Sequence, residues 1–167
     1  MTAIRERIYV KCPFTKAPSF LNYYLEELAH STDSGGSILH LELPLATLGI
    51  PSGLNIGRDV VAHFAPPDDA YGVQRTAVTW KPEGGGPFPT FTGFINVEQD
   101  ERYGSSSLLL EGTYEPPLGV AGKAFDAALG RTIATATARE LLHALRRKIE
   151  DSWSLANAKT GSQSNGG

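Results

Sequence analysis

Five segments in the middle of the chain have the composition of β-strands, and the later ones are separated by short turn-forming stretches. The segments are SILHLELPL, IGRDVVAHFA, VQRTAVTW, FPTFTGFINVEQ and SSSLLLEGTY. The stretches PPDDAYG, KPEGGGP and DERYG between them contain the proline, glycine and aspartate that tight turns need. Parallel strands require a crossover of a dozen or more residues, so connections this short predict an antiparallel meander.

The segment SILHLELPL shows the alternation of a half-buried strand most clearly. Side chains of a strand point alternately to its two faces, so Leu39, Leu41, Leu43 and Leu45 share one face and His40 lies on the other. We expect the leucine face to contact the core and the opposite face to contact solvent.

Helical patterns flank this β-rich region. The segment IYVKCPF, residues 8–14, predicts a short first strand, and apolar residues spaced by three and four predict an amphipathic helix at 15–29. A longer helix is predicted at 123–154, with a wide apolar stripe that includes Leu145 and Ile149.

The order strand, helix, further strands and long helix predicts the α+β class. A sheet and a helix each bury one apolar face, so we expect the long helix to lie across the concave face of a curved antiparallel sheet. Residues 1–154 are predicted to form a single domain. The last stretch, residues 155–167, is small and polar without a pattern, which predicts a disordered tail.

Composition and charge argue against nucleic acids and membranes as partners. Lys and Arg number 15 against 18 Asp and Glu, a net charge of -3, so the overall charge does not favour nucleic acid or an anionic membrane. No apolar run approaches the length of a membrane span, and the start MTAIRERIYV lacks the unbroken apolar stretch of a signal peptide. The single cysteine, Cys12, cannot form an internal disulfide, which suits a cytoplasmic location.

The stretch EGTYEPPLGVAG, residues 111–122, joins the last strand-like segment to the long helix. Its prolines, Pro116 and Pro117, lack the donor that a strand ladder needs, and Gly112 allows the strand to bend. The main interpretation is therefore a structural corner, with contact to a ligand as the alternative. Tyr114 shares a face with Leu110 and carries a hydroxyl group that needs a partner when buried.

Three segments resemble the START/Bet v 1-like superfamily, also called SRPBCC. They are FPTFTGFINVEQD, LLLEGTYEPPLGVAGKAFD and GRTIATATARELLHAL, and the likeness extends over roughly residues 5–150. The chain is most similar to bacterial members described as polyketide cyclase/dehydrase or lipid-transport-like. The resemblance implies a helix-grip fold, in which an antiparallel sheet wraps around a long C-terminal helix and encloses a hydrophobic pocket. The sequence departs from many members in leaving little room for a second short helix before SILHLEL.

Motifs for metals, phosphates and nucleophilic catalysis do not occur. The four histidines have no metal-ligand spacing, and GVAGK lacks the glycine spacing and the final Ser or Thr of a phosphate loop. No serine lies in a GxSxG elbow, and Cys12 has no base near it in sequence, so we expect it to be a small buried residue. No metal and no cofactor are predicted, and no catalytic residue is assigned.

Aromatic strand residues and a few polar groups form the candidate ligand site. The predicted ligand-binding residues are Arg58, Phe64, Trp80, Phe91, Tyr114, Leu118 and His143. Arg58 lies on the same predicted strand face as Phe64, so its guanidinium would point inward and orient a ligand carbonyl or carboxylate. The alternative is that Arg58 is a surface charge at the end of the strand. His143 lies beside the apolar stripe of the long helix, where a boundary histidine is the common case.

Three functions remain open at this point. The first is binding of a hydrophobic small molecule, such as a lipid, quinone or polyketide, in a cavity between the sheet and the long helix. The second, suggested by the resemblance alone, is an enzyme of the polyketide cyclase, aromatase or dehydratase kind. The third is a protein-interaction module, which would expose a large apolar patch. We expect no nucleic-acid partner and no stable membrane insertion, and the sequence leaves open whether the chain forms a homodimer.

Overall fold

A long antiparallel sheet and two helices make up the described part of the chain. The computed structural model describes residues 2–30, 37–44, 55–70, 73–83, 90–102, 104–115 and 127–162. The elements follow in the order β1 (Thr2–Val10), α1 (Ala17–His30), β2 (Ser37–Pro44), β3 (Asn55–Phe64), β4 (Asp68–Ala70), β5 (Val73–Pro82), β6 (Thr90–Gln99), β7 (Ser106–Glu115) and α2 (Ala127–Ser162).

The sheet is curved and open, and α2 bridges its two edges. Six strands are hydrogen-bonded in the order β1-β7-β6-β5-β3-β2, and β4 pairs with β5. All of these pairings are antiparallel, which confirms the predicted meander. The helix α2 packs against α1, β7 and both edge strands, β1 and β2. The predicted α+β, helix-grip architecture is therefore confirmed.

The core lies between the concave face of the sheet and the two helices. Alternate residues of β5 and β6, including Val78 and Ile95, are buried on the concave face. The apolar stripe of α2 meets this face with small residues such as Ala138 and larger ones such as Leu145 and Ile149, all fully or almost fully buried. Burying one such large side chain stabilises a fold by about 1.5–3 kcal/mol, so this layer holds the sheet and α2 together.

The first strand begins earlier than the sequence predicted. It is β1, Thr2–Val10, whereas the prediction placed a strand at 8–14. The arginines that obscure the strand pattern form cross-strand ion pairs on the convex face, Arg5 with Glu111 at 2.7 Å and Arg7 with Glu98. Ile4 and Val10 are buried on the other face, so the alternation of a strand holds across the charged segment.

Two further elements differ from the sequence-based prediction. The stretch predicted as a plain turn contains β4, whose Asp68 pairs in register with Arg75 of β5. The helix α2 continues through Ser162, although the sequence predicted its end near Ser154 and a disordered tail beyond. Four of the eight added residues, Leu155, Ala156, Ala158 and Lys159, are good helix formers, and the helix extends past the last core contact. The division into one domain remains a prediction.

A pair of glycines allows β6 and β7, two interior strands of the sheet, to approach closely. Gly93 and Gly112 are directly opposite each other. A Cβ atom added to Gly112 would lie 2.7 Å from the Cα atom of Gly93 and 2.5 Å from Cζ of Phe91. Non-bonded carbon atoms pack at about 3.5–4.0 Å, so neither position has room for a side chain.

We predict that Gly112→Ala destabilises the fold by about 3 kcal/mol, because the added methyl group meets the backbone of β6 as well as the Phe91 ring. Urea unfolding followed by circular dichroism measures the change in the free energy of unfolding.

Gly161→Ala is the matched control, since a Cβ atom at Gly161 meets no heavy atom within 4 Å. Alanine is the better helix former, so this variant should be unchanged or more stable by up to about 1 kcal/mol. Equal stability of the two variants would contradict the close-approach argument.

Candidate functional site

One row of residues crosses the concave face from β3 to β7. Cross-strand pairing places Ala62 opposite Trp80, Trp80 opposite Phe91, and Phe91 opposite Tyr114. Trp80 and Tyr114 are each 2% exposed and Phe91 is 0% exposed. Three of the residues predicted for ligand binding are thus brought together, and all three are part of the packed core.

The aromatic rings of this row are in direct contact. The rings of Trp80 and Phe91 are stacked, with centroids 4.0 Å apart and planes inclined by 13°. The tip of the Phe91 ring lies over the glycine pair of β6 and β7. The ring therefore fills the space that two missing side chains leave on the concave face. Stacked aromatic pairs contribute about 0.5–1.5 kcal/mol beyond the burial of their surface.

The indole nitrogen of Trp80 is a buried donor for which the described residues supply no acceptor. Its Nε1 atom is inaccessible to solvent and has no hydrogen-bond partner in the part of the chain that the structure describes. Leaving a buried polar group unpaired costs about 1–3 kcal/mol. Within the described ranges, Trp80 Nε1 is thus an unpaired donor beside the apolar side chains of Ala62 and Phe91.

The residues predicted to bind a ligand also include Phe64, Arg58 and Leu118. Phe64 is partly buried and packs against the core cluster. Arg58 lies in β3 and is paired in register with Leu41, but its side chain is not among those that the structure describes. Leu118 also falls outside the described residues. A role of these residues in ligand binding remains a prediction.

His143 lies apart from the aromatic row. It lines a groove of about 360 Å³ with Glu6, Ile8 and Arg139, and Arg139 Nε donates a hydrogen bond of 2.8 Å to Glu6. Tyr114 is paired with Thr2, which is four residues from Glu6 along β1. At about 3.3 Å per residue this separation is roughly 13 Å. Tyr114 of β7 thus lies beside the start of β1, whereas the groove that His143 of α2 lines lies further along β1, at Glu6 and Ile8.

A groove between α1 and the sheet opens onto the concave face. Its volume is about 370 Å³, and its floor is formed by Leu21 of α1 with Ile95 and Val97 of β6, all buried. Phe14 and Val73, both exposed, also line it. We call this the α1 groove.

Uncharged polar groups complete the α1 groove. Asn22 Nδ2 donates a hydrogen bond of 3.3 Å to Gln74 Oε1, which joins α1 to β5 at the rim. Among the described lining residues, the only charged one is Glu98, and it pairs with Arg7. The groove suits an apolar or neutral molecule better than an ion.

The α1 groove was not predicted from the sequence. Apolar spacing predicted an amphipathic helix at 15–29, which includes Leu21, and the segment that contains Ile95 was predicted as a strand. Neither pattern indicates which part of the sheet α1 packs against, because that depends on contacts between distant segments.

A third groove lies near the convex face and differs in chemistry. It measures about 610 Å³, and its lining includes Arg7, Asp100, Glu101 and Arg102. The guanidinium of Arg102 lies 5.6 Å from the centre of the Tyr9 ring. These charged groups make this groove less suitable for a hydrophobic ligand.

Neither a metal centre nor a membrane-spanning helix is found among the described residues. Within the described ranges, no group of three or more His, Cys, Asp or Glu side chains is arranged to hold a metal ion. Of the helices described, neither combines the length and the apolar content that crossing a membrane requires.

Comparison with known proteins identifies the fold. No protein-family model matches the chain, and no curated protein does. Among solved structures, a conserved protein from Geobacillus kaustophilus is similar with a TM-score of 0.52 and 14% identity, over 90% of this chain and 97% of the other. The chain has a START/Bet v 1-like fold.

Two further solved structures carry names from the same fold group. Ara h 8.0201 is 12% identical with a TM-score of 0.46, covering 90% of this chain and 96% of its own. A START superfamily protein from Mycobacterium smegmatis is also 12% identical, with a TM-score of 0.40, covering 92% of this chain and 98% of its own. At such identities the START/Bet v 1-like likeness concerns the fold alone.

Cys12 is buried in the START/Bet v 1-like core, as the sequence predicted. Burial, and then the nearby charge of Glu150, raises the pKa of the Cys12 thiol from 9.0 to about 11. The Glu150 carboxylate is held there because its Oε1 accepts a hydrogen bond of 2.9 Å from the backbone N–H of Lys11. The thiol is therefore neutral at physiological pH and poorly suited to act as a nucleophile.

We predict that iodoacetamide modifies Cys12 about 100-fold more slowly in the folded protein than in urea at about pH 8, because two pKa units reduce the thiolate fraction by that factor. Mass spectrometry of quenched samples measures the rate.

Folding raises the pKa of the Cys12 thiol, so the neutral thiol contributes to the free energy of unfolding below about pH 9. This contribution is lost as the pH rises towards 11.

Glu150→Gln tests the cause, because glutamine keeps an acceptor for Lys11 but removes the charge. Cys12 should then react faster, yet still well below the rate in urea, since burial is the larger cause. A wild-type rate equal to that in urea would contradict the buried position of the thiol.

Proposed function

We propose that this protein binds a hydrophobic small molecule between the concave face of the sheet and the helices, with the α1 groove as the accessible part of the site. The observation that carries the proposal is the groove itself, about 370 Å³ with an apolar floor of Leu21, Ile95 and Val97. Ligand pockets are typically concave, mostly apolar and about 300–1,000 Å³ in volume.

The fold and the chemistry of the groove support this assignment. Its buried floor belongs to the same core face as Trp80 and Phe91, so an apolar ligand would continue the core of the protein. Burial of apolar surface contributes about 25 cal/mol per Å², and this term would supply most of the affinity. The uncharged rim favours lipid-like, quinone-like or polyketide-like molecules without a strong charge.

The other two functions have less support from the described residues. An enzyme would need polar groups that converge on one point, whereas Tyr114 is paired with Thr2 and His143 lines a groove with Glu6, two positions of β1 that are roughly 13 Å apart by strand spacing.

An interaction module would need a large contiguous apolar patch, whereas the exposed residues Tyr23, Phe94 and Leu155 lie on three different elements. The exposed pair Phe14 and Val73 lines the α1 groove itself. We further propose a cytoplasmic location, and the homodimer question stays open.

Native mass spectrometry of the purified protein is the first experiment. We expect a co-purified apolar molecule in the hundreds of daltons that is released on unfolding and identified after extraction. An empty protein that also fails to bind fatty acids, quinones and aromatic ketones would contradict the proposal.

We predict that Phe14→Ser weakens binding of the fluorescent ketone prodan about 5-fold or more, because Phe14 contributes apolar surface to the α1 groove. Fluorescence titration measures the dissociation constant. Since Phe14 is 40% exposed, the variant should fold normally.

Phe94→Ser is the matched control. Phe94 is 41% exposed but lies on the convex face, where the guanidinium of Arg75 is 4.3 Å from its ring centre. Prodan affinity should be unchanged in this variant, and an equal loss in both would argue against the α1 groove.

A further inference from the structure

We infer that Trp80 determines ligand specificity, with its indole N–H donating a hydrogen bond to a neutral acceptor, such as a carbonyl oxygen, at the inner end of an elongated apolar ligand. This inference rests on the proposed function and deepens it. The observation behind it is the buried Nε1 atom, which has no hydrogen-bond partner among the described residues.

The lack of a partner is more significant for tryptophan than for the other residues that share it. Arg75 and Arg146 also have a buried Nε atom without a partner, but a guanidinium has four further N–H bonds at its outer end. Tryptophan has a single donor, so the unpaired Nε1 leaves its entire hydrogen-bonding capacity unused. Such a donor is available for an acceptor that a ligand supplies.

The surroundings of Trp80 favour a neutral acceptor over an ionised one. Its cross-strand neighbours in the row are Ala62 and Phe91, which are both apolar and fully buried. Burying a carboxylate requires a paired charge or several donors, whereas a ketone, ester or amide oxygen is satisfied by one or two. The ligand class is therefore apolar molecules with a neutral carbonyl, rather than free fatty acids.

The α1 groove and Trp80 lie along the same face of β5, with the fully buried Val78 between them. Thr76 lines the groove and lies four residues before Trp80 on the same face of β5. This distance is about 13 Å at 3.3 Å per residue, which sets the minimum reach of the ligand. On the neighbouring strands, Gly93 and Gly112 leave a space on the concave face, and the tip of the Phe91 ring occupies this space. For a ligand to reach Trp80 from the α1 groove, the Phe91 ring and the Val78 side chain would have to move aside.

Two probes separate the carbonyl from the rest of the ligand: prodan, which has a ketone at one end, and its analogue in which a propyl group replaces the propionyl group. The chain contains two tryptophans, so proton–nitrogen correlation spectra show two indole signals, which Trp153→Phe assigns. We expect prodan to shift the Trp80 indole proton downfield, and the analogue to leave it nearly unchanged.

Trp80→Phe keeps an aromatic ring for the stack but removes the donor. We expect it to weaken prodan binding about 3- to 10-fold, the value of one net hydrogen bond, and to leave the analogue unaffected. Trp153→Phe, which changes the half-buried tryptophan of α2, should alter neither affinity.

The outcomes distinguish the two levels of the proposal. If the wild-type protein binds both probes equally and the Trp80 signal does not respond to the ketone, the inference is wrong and the proposed function stands. Tighter binding of the matching carboxylic acid would likewise overturn the choice of a neutral acceptor. Failure of the wild-type protein to bind either probe would contradict the proposed function and the inference with it.

Discussion

The close approach of β6 and β7 at Gly93 and Gly112 is the constraint on which the concave face depends. Without Cβ atoms at this pair, the two strands come together and the Phe91 ring lies over them. Trp80 in turn stacks on Phe91, so the positions of both aromatic rings follow from two residues that have no side chain. Glycine is normally unfavourable in a strand, and here its use is explained by the close approach of another group.

The second constraint is the open sheet, which α2 closes. The edge strands β1 and β2 do not neighbour each other in the strand order, and α2 contacts both of them. Small residues such as Ala134 and Ala138 bring the helix close, whereas Leu145 and Ile149 fill the core. The Glu150 contact with the backbone of Lys11 ties the same helix to the segment before α1. The helix α1 forms one wall of the α1 groove. The position of α1 relative to the sheet therefore determines the shape of the site.

Much of the architecture could be predicted because it depends on local patterns. Proline- and glycine-rich turns separated the strands from β3 to β7, and apolar spacing identified both helices. The start of β1 was missed because Arg5 and Arg7 are strand residues whose partners, Glu111 and Glu98, are distant in sequence. The site was predicted only in part for the same reason. Strand alternation predicted that Tyr114 and Leu110 share a face. No local pattern shows that Leu21 and Ile95 line the same groove.

The accessible groove and the buried donor have complementary physical roles. Apolar surface in the α1 groove would supply affinity without strong selectivity, because the hydrophobic effect is non-directional. A single unpaired N–H adds direction, since it discriminates between ligands that supply an acceptor and those that do not. Trp80 Nε1 has no hydrogen-bond partner in the part of the chain that the structure describes, which lowers the stability of the fold. A ligand that accepts its hydrogen bond would recover part of that free energy on binding. A site of this kind would favour carbonyl-bearing apolar molecules over hydrocarbons of the same shape.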